Sequence, residues 1–244
     1  MNASRFQQIF AAALLMSVAA FCHAAPAATV LTPEQAADLY LRTFVNRDLD
    51  AARVLNDYLK PAYDNQNALD LEALAKFAAD KPAQDRAQVQ EIVAAAPEAN
   101  RAVLAEASLN YFQGLDHAIV GAACRATGSE IRPNETTRAM GGDKNKNDVI
   151  ATVTYRCEIP QIDEPLQQEI AVAMKAEDVA AMRVATGKLK QALLRPASTR
   201  TVVGKQDLYR HTGNSVWLSG AFDEWVDPVL EGLPSLQPSS ATEQ

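Results

Sequence analysis

Histidine is the side chain best suited to proton transfer near neutral pH, and this chain has three of them. His117 and His211 lie in the body of the chain, and His23 lies near its start. A hydrolase could use either body histidine with a carboxylate, but no Gly-x-Ser-x-Gly motif accompanies them. Asp116 precedes His117 on a predicted strand, where neighbouring side chains point to opposite faces. The catalytic residues therefore stay unassigned, and both histidines are most simply explained as solvated side chains.

Metal and nucleotide sites have sequence patterns that this chain lacks. It has no His-Glu-x-x-His, no series of Cys-x-x-Cys pairs and no calcium loop. Residues 143–148 carry oxygen ligands, but Lys144 and Lys146 would oppose a divalent cation. Gly141 and Gly142 lack the strand-to-helix context of a nucleotide-binding loop. We therefore expect neither a metal nor a cofactor.

Two cysteines lie in strand-like segments on either side of a polar, glycine-containing loop. Cys124 falls within residues 119–131 and Cys157 within residues 147–159. Direct pairing of the two places the centre of an antiparallel hairpin in the middle of that loop, at a separation that a disulfide can bridge. We therefore predict a structural Cys124–Cys157 disulfide. The alternative, a redox-active pair, usually has the closer Cys-x-x-Cys spacing.

The same register divides the hairpin into an apolar and a polar face, as in a half-buried antiparallel sheet. The apolar face is predicted to carry Val120, Ala122, Cys124, Ala126, Val149, Ala151, Val153, Tyr155, Cys157 and Ile159. The polar face is predicted to carry Arg125, Thr127, Ser129, Thr152, Thr154, Arg156 and Glu158.

On the polar face, Arg125 falls directly opposite Arg156, which is unfavourable unless an anion or the diagonal Glu158 compensates. We therefore take Arg125, Arg156 and Thr154, with Thr152 beside them, as a candidate contact for an anion or carboxylate. The alternative is a solvated face in which Glu158 reaches the arginines.

Three large aromatic residues cluster in a chain with few aromatics: Trp217, Phe222 and Trp225. Tryptophan is enriched at interface hot spots, so the cluster is a candidate interface. The alternative is that the cluster closes one end of the core, particularly for Trp217 on a predicted strand.

Helical signals dominate the first half of the chain. Thr32 begins a capping box with a proline in the first turn, and Asp48 can cap a second helix that ends at Pro61. Apolar residues at helical spacing predict further segments over 71–78, 84–96 and 98–113, with Gly114 as the last C-terminal cap.

After the hairpin, the pattern predicts one helix from Pro165 to about Leu194, bent at Gly187, and short strands over 199–210 and 215–218. Helices and strands do not alternate regularly, so a doubly wound parallel sheet is not expected. The predicted fold class is α+β: an N-terminal helical half packed on a mainly antiparallel sheet of about four strands, with one disulfide-linked hairpin.

The chain is predicted to be exported. Residues 1–24 have the basic start, apolar run and small-residue cleavage site of a signal peptide, and no later run is apolar enough to cross a membrane. We therefore expect a periplasmic or secreted protein with a single α+β domain over 25–233. Its helical part covers 32–114 and its sheet-containing part 115–233, followed by a disordered tail over 234–244.

The composition and net charge of the chain argue against one class of partner. The 244 residues include 45 alanines, which favours helix, and the net charge is −7. Loss of residues 1–24 removes Arg5 and no acid, so the remainder carries −8. That balance argues against nucleic acid, whose phosphates require a basic surface.

Residues 40–53 resemble the first helices of the NTF2-like cone fold, although further helices are predicted where that family enters its sheet. The resemblance implies no site residue. The leading hypothesis is an exported, non-catalytic module that binds another protein, of the inhibitor, immunity or envelope-assembly type. The alternatives are a periplasmic hydrolase with a histidine–carboxylate site, and a small-ligand carrier with a deep pocket beside Arg125 and Arg156.

Overall fold

A computed structural model describes residues 30–135 and 148–234. Within them lie seven α-helices and one four-stranded antiparallel sheet of order β1-β2-β3-β4. The helices are α1 (Pro33–Tyr40), α2 (Leu49–Leu59), α3 (Leu71–Ala94), α4 (Glu98–Val120), α5 (Glu164–Lys175), α6 (Val179–Leu194) and α7 (Asp227–Gly232). The strands are β1 (Ala123–Pro133), β2 (Val149–Pro160), β3 (Thr199–Arg210) and β4 (Leu218–Ser219). The predicted signal peptide, and the predicted tail after Pro234, lie outside the described residues.

The first two helices begin where their capping residues predict. The Thr32 hydroxyl accepts from the Gln35 amide while the Gln35 side chain accepts from the Thr32 amide, which completes a capping box. The chain continues from α1 through a π-helical turn, Leu41–Val45. The Asp48 carboxylate then accepts from the amides of Asp50 and Ala51 to start α2.

The next helices are longer than predicted. Segments 71–78 and 84–96 form one helix, α3, that continues through Pro82. An ion pair between Lys81 and the buried Asp85 spans the turn that contains this proline. Gly114 does not end α4, which continues to Val120, because this glycine is buried where α4 packs on α6.

The predicted single helix over 165–194 is wrong, because two helices occupy this stretch. The chain breaks after Lys175, where Glu177 has a φ of 52°. The Asp178 carboxylate accepts from the amides of Ala180 and Ala181 and starts α6 anew. Gly187, the predicted bend, lies inside α6.

The sheet confirms the predicted disulfide and the register around it. Cys124 and Cys157 are bonded to each other and lie directly opposite on β1 and β2, as do Arg125 and Arg156. The register then shifts by one residue between Ala126 and Gly128, which leaves Thr127 as a β-bulge.

This bulge reverses the predicted orientation of Ser129. Because Ser129 lies opposite Val153, its side chain belongs to the helix-covered face, where its hydroxyl donates to the Glu34 carboxylate at 2.5 Å. The assignment of Ser129 to the polar face is therefore wrong, since a single inserted residue exchanges the two faces of a strand.

Strands β1 and β4 start later than predicted, because side chains form hydrogen bonds with the backbone groups just before each strand. The side-chain amide of Asn46 donates to the carbonyls of Val120 and Ala122, so the chain ends α4 at Val120 and turns through Gly121 and Ala122 before it enters the sheet. Near the other end, the Trp217 amide donates to the Tyr58 hydroxyl at 2.6 Å. Only Leu218 and Ser219 then pair with β3.

The core lies between one face of the sheet and the helices, and the α+β class is confirmed. Tyr155 and Leu208 of the sheet are fully buried together with Tyr40 and Leu55 of the helices. Gly204 on β3 leaves room for the Tyr155 ring, because a Cβ at position 204 would lie 2.3 Å from it. No described helix is long and apolar enough to cross a membrane.

Candidate functional site

The second face of the sheet is polar and carries side chains that the described helices do not cover. We call it the open face. Its members alternate along the strands with buried core residues. They are Arg125, Thr127, Glu130 and Arg132 of β1, Thr152, Thr154, Arg156 and Glu158 of β2, and Thr201, Val203, Lys205 and Asp207 of β3.

Two arginines meet at the centre of this face. Arg125 and Arg156 are directly opposite each other, and both are exposed. Lys205, also exposed, lies opposite Thr154 on the adjoining strand. Within residues 30–135 and 148–234, none of these three cations forms an ion pair or a side-chain hydrogen bond. The cations therefore remain available to an anion from outside.

Two acidic residues of the open face, Glu158 and Asp207, are engaged by its other side chains, whereas a third, the exposed Glu130 opposite Thr152, has no partner among the described residues. The Glu158 carboxylate accepts from the Thr201 hydroxyl at 2.5 Å and from the Thr199 hydroxyl at 3.4 Å. Among the described residues, Glu158 makes no ion pair with either arginine, although it lies two residues from Arg156 on the same face.

At the other end of the face, Asp207 has two partners. Its carboxylate accepts from Arg132 Nη2 at 2.9 Å and from the Thr152 hydroxyl at 2.5 Å. Glu158 and Asp207 are thus bonded within the protein, while Arg125, Arg156 and Lys205 are not. This arrangement favours an external carboxylate or other anion over the centre of the face.

Thr154 is positioned between the free cations. It is half-buried and lies opposite Lys205, and its carbonyl accepts from the hydroxyl of the bulge residue Thr127 at 3.1 Å. Its own hydroxyl has no hydrogen-bond partner among the described residues. The predicted set Arg125, Arg156 and Thr154 therefore lies on one surface, and the structure adds Lys205 to it.

Lys205 could not be assigned to this surface from the sequence, because the sequence does not specify how its strand pairs with β2. No cysteine pair or short turn fixes β3 against β2, so the residue opposite Thr154 could not be identified. The observed pairing is unbroken from Val149 opposite Arg210 to Pro160 opposite Thr199.

The aromatic cluster is not an exposed surface. Trp217 and Trp225 are buried, and Phe222 is half-buried. Tyr40 stacks on Trp225 with ring centroids 5.4 Å apart, and Phe222 stacks on Phe44 at 4.8 Å. These rings close one end of the core, and their burial leaves little of them for a partner to contact.

The two body histidines have different surroundings. His117 is exposed on α4, and its neighbour Asp116 forms an ion pair with Arg47 at 2.7 Å. His211, in contrast, lies with Nδ1 3.1 Å from the buried carboxylate of Asp148. The hydrogen bond from the Thr212 amide, and then that from His211, hold the pKa of Asp148 below its usual value.

The Asp148–His211 contact follows directly from the β2–β3 register. Val149 lies opposite Arg210, so the next residues outward are Asp148 and His211. This contact could not be predicted from the sequence, because the two residues are far apart in the chain and the register between β2 and β3 was unknown. The His211 side chain is 57% exposed, so the contact orients a histidine at the surface.

Of two cavities, one lies away from the open face and the other reaches it at Thr152, Lys205 and Asp207. One of about 220 Å³ is lined by Pro160, Arg200 and Leu233 among others, and one of about 480 Å³ includes Lys205, Tyr209 and Glu224. Neither of them includes Arg125, Arg156 or His211. Among the described residues, no group of three histidine, cysteine or acidic side chains is placed to hold a metal ion.

No family model, curated protein or solved structure matches this chain.

Proposed function

We propose that this protein is an exported, non-catalytic module that binds another protein through its open face, as an inhibitor, an immunity protein or an envelope-assembly factor would. The observation that supports it is the pair of opposed, exposed arginines, Arg125 and Arg156, without an acidic partner. Opposed like charges on a sheet disfavour the free state, and a carboxylate bound between them removes that repulsion.

A protein partner suits this face better than a small ligand or a nucleic acid. Neither of the two cavities adjoins both arginines, whereas a small-ligand carrier would enclose its ligand in a pocket. The chain as a whole carries a net charge of −7, which opposes a polyanion at long range. A short acidic segment of a protein requires only the local cations of the open face.

Export is supported by two features. The start of the sequence has the pattern of a signal peptide, and Cys124 and Cys157 form a disulfide. Disulfides persist in oxidising compartments such as the periplasm or the extracellular space. We therefore place the protein's partner in the periplasm or outside the cell.

The test is affinity capture with the mature chain, residues 25–244, from periplasmic extract. The site variant is Arg125→Glu/Arg156→Glu. The matched control is Lys76→Glu/Arg195→Glu, which makes the same change in net charge at exposed positions with no described ion pair. We expect one protein to bind the wild type and the control, and to bind the site variant at least about tenfold more weakly.

The captured protein is then purified and its affinity is measured by calorimetry at two salt concentrations. Binding through the open face should weaken as salt rises, because the cations are exposed. If no protein is recovered, or if the site variant and the control retain equal affinity, the open face is not the binding surface and the proposal is wrong.

A hydrolase is the second candidate, and the Asp148–His211 contact is the observation that favours it. With Nδ1 bonded to a buried carboxylate, His211 is oriented so that Nε2 can accept a proton from water or a nucleophile. Turnover of p-nitrophenyl acetate by the mature chain would support this activity if it is lost in His211→Ala and in Asp148→Asn but kept in His117→Ala. Equal turnover in all variants would exclude it.

A further inference from the structure

The two edges of the sheet differ in how they are protected. On β1, the Asp38 carboxylate of α1 accepts from the Ala126 amide at 2.7 Å, and the bulge at Thr127 follows at once. A bonded edge amide and a bulge both prevent another strand from pairing there. The β1 edge is therefore closed by the fold itself.

From the residues that the structure describes, the outer edge of β3 receives no comparable protection of its backbone. All of β3 pairs with β2 on its inner side, but β4 covers only Leu208 and Tyr209 on the outer side. Along Thr199–Asp207, the described residues supply no hydrogen bond to the backbone beyond the sheet pairing, and β3 contains neither a bulge nor a proline. A long regular edge of this kind is a template for an added strand.

A cavity marks the point at which β4 stops. The cavity of about 480 Å³ is bounded by Lys205, Gln206 and Asp207 of β3 on one side and by Gly220, Ala221 and Glu224 on the other. Beyond β4, this cavity lies directly beside the unpaired edge. The Gln206 side chain donates to the Glu224 carboxylate at 3.0 Å there, so an extended chain that enters the cavity must accommodate this hydrogen bond.

We propose that the outer edge of β3 binds an extended acidic segment of the partner protein as an additional antiparallel strand. This inference rests on the proposed function, and it specifies how the partner is bound. Backbone hydrogen bonds would supply the general affinity, and side chains on the open face would supply the specificity.

The side chains of β3 predict the motif in that segment. Val203 is 55% exposed and Lys205 is exposed, and both point to the open face two residues apart. In an antiparallel partner, the residue opposite Lys205 precedes the one opposite Val203 by two positions. The preferred segment therefore has an acidic residue, any residue, and then an aliphatic residue, with Arg156 adjoining Val203 to add positive charge.

The probe is the peptide TTETVTT, acetylated and amidated, titrated into isotope-labelled mature chain and followed by amide chemical shifts. We expect saturable shifts along Thr199–Asp207. We expect TTKTVTT to bind at least about tenfold more weakly, and Lys205→Glu to reverse this preference. The Lys76→Glu variant is the charge control and should leave the preference unchanged.

Two further peptides test the added strand itself. Each is methylated on alternate backbone nitrogens, one at odd and the other at even positions. In a strand, alternate amides face the same neighbour, so only one of the two peptides should lose binding, by at least about tenfold. If both bind equally while Arg125→Glu/Arg156→Glu abolishes binding, the edge inference is wrong and the open-face proposal stands.

The remaining outcomes also overturn the edge inference. One is the absence of saturable binding by TTETVTT. Another is a change in the same β3 amides when residues 235–244 are deleted without peptide, which would assign the edge to the chain's own end. A third is concentration-dependent dimerisation through these amides, which would assign it to a second copy. None of these three results affects the capture of a partner by the open face.

Discussion

The hydrogen bonds that Asp148 accepts depend on the negative charge of its carboxylate. It is buried, and it accepts hydrogen bonds from the Thr212 amide at 2.8 Å and from His211. These contacts lower the pKa of Asp148 in the folded chain below its usual value near 4. The contacts therefore stabilise the fold above the usual pKa, and that stabilisation is lost as the pH falls through the lower folded pKa.

We expect Asp148→Asn to lower the free energy of unfolding by about 1.5 to 3 kcal/mol at pH 7, the range for hydrogen bonds to a charged group. The difference from wild type should shrink below about pH 4, because the Asp148 carboxyl takes up a proton first in the unfolded chain and then, at its lower pKa, in the folded chain. Thermal unfolding followed by circular dichroism from pH 7 to pH 3 measures this. The control is Asp57→Asn at an exposed position, and a difference independent of pH would contradict the prediction.

The disulfide between the two cysteines is a second contact whose contribution to the stability of the fold can be measured. Their sequence separation is 33 residues, and closing a loop of that length contributes about 3 to 4 kcal/mol. We expect Cys124→Ala/Cys157→Ala to lower the melting temperature by about 6 to 16 °C. Reduction of the wild type should produce the same decrease, and calorimetry with and without reductant checks both. An unchanged melting temperature would mean that the disulfide adds no stability.

Among the helices, two buried or half-buried glycines provide a matched pair of positions. Gly187 in α6 has space around it, because a Cβ there would approach only the Asn110 side chain, at 3.8 Å. At Gly114 in α4, a Cβ would lie 3.0 Å from the Leu193 side chain and 3.2 Å from the Lys190 Cα. Helices α4 and α6 therefore depend on the missing side chain of Gly114 for their close approach.

Alanine at each position separates helix propensity from packing. We expect Gly187→Ala to stabilise the fold by up to about 1 kcal/mol, since alanine is the better helix former. Gly114→Ala has the same propensity gain but overpacks the contact, so it should be less stable than Gly187→Ala by about 1 to 3 kcal/mol. Urea unfolding of the two variants measures the difference, and equal stabilities would show that α4 and α6 can separate without cost.

How far the elements could be predicted depended on whether the signal was local. Thr32, Asp48 and the Cys124–Cys157 register specify their elements through nearby residues or a covalent bond, and the structure confirms them. Gly114 as a helix end was wrong because α4 continues through it where it packs on α6, and Gly187 as a bend was wrong because the helix restarts at Asp178 instead. The bulge at Thr127 had no local signal and reversed Ser129.

At the scale of the whole molecule, some residues of the candidate site could be predicted from the sequence and others could not. Arg125, Arg156 and Thr154 could be placed together because the disulfide related their strands. Lys205, and the Asp148–His211 contact, required the register between β2 and β3, which no covalent or turn signal specified. Contacts that depend on the pairing of strands far apart in the chain could therefore not be predicted from the sequence.

Among the described residues, the α4–α6 pair and the sheet belong to one hydrophobic core but share few direct contacts. Helix α4 packs along α6, and the Lys190 ammonium of α6 donates to the Gln113 side chain of α4 at 2.6 Å. The sheet instead packs mainly on α1, α7 and the aromatic rings, and α4 touches β2 only briefly. Segments with few shared contacts can open separately.

We therefore expect loss of the disulfide to affect the sheet more than the α4–α6 pair. In Cys124→Ala/Cys157→Ala, hydrogen exchange of β1 and β2 amides should accelerate by about two orders of magnitude or more, the equivalent of about 3 to 4 kcal/mol. Amides of α4 and α6 around Gly114 and Leu193 should accelerate less than about tenfold. Mass spectrometry of exchanged peptides measures both groups in one sample. Equal acceleration everywhere would show that the protein opens as one cooperative unit, because global unfolding exposes all protected amides together.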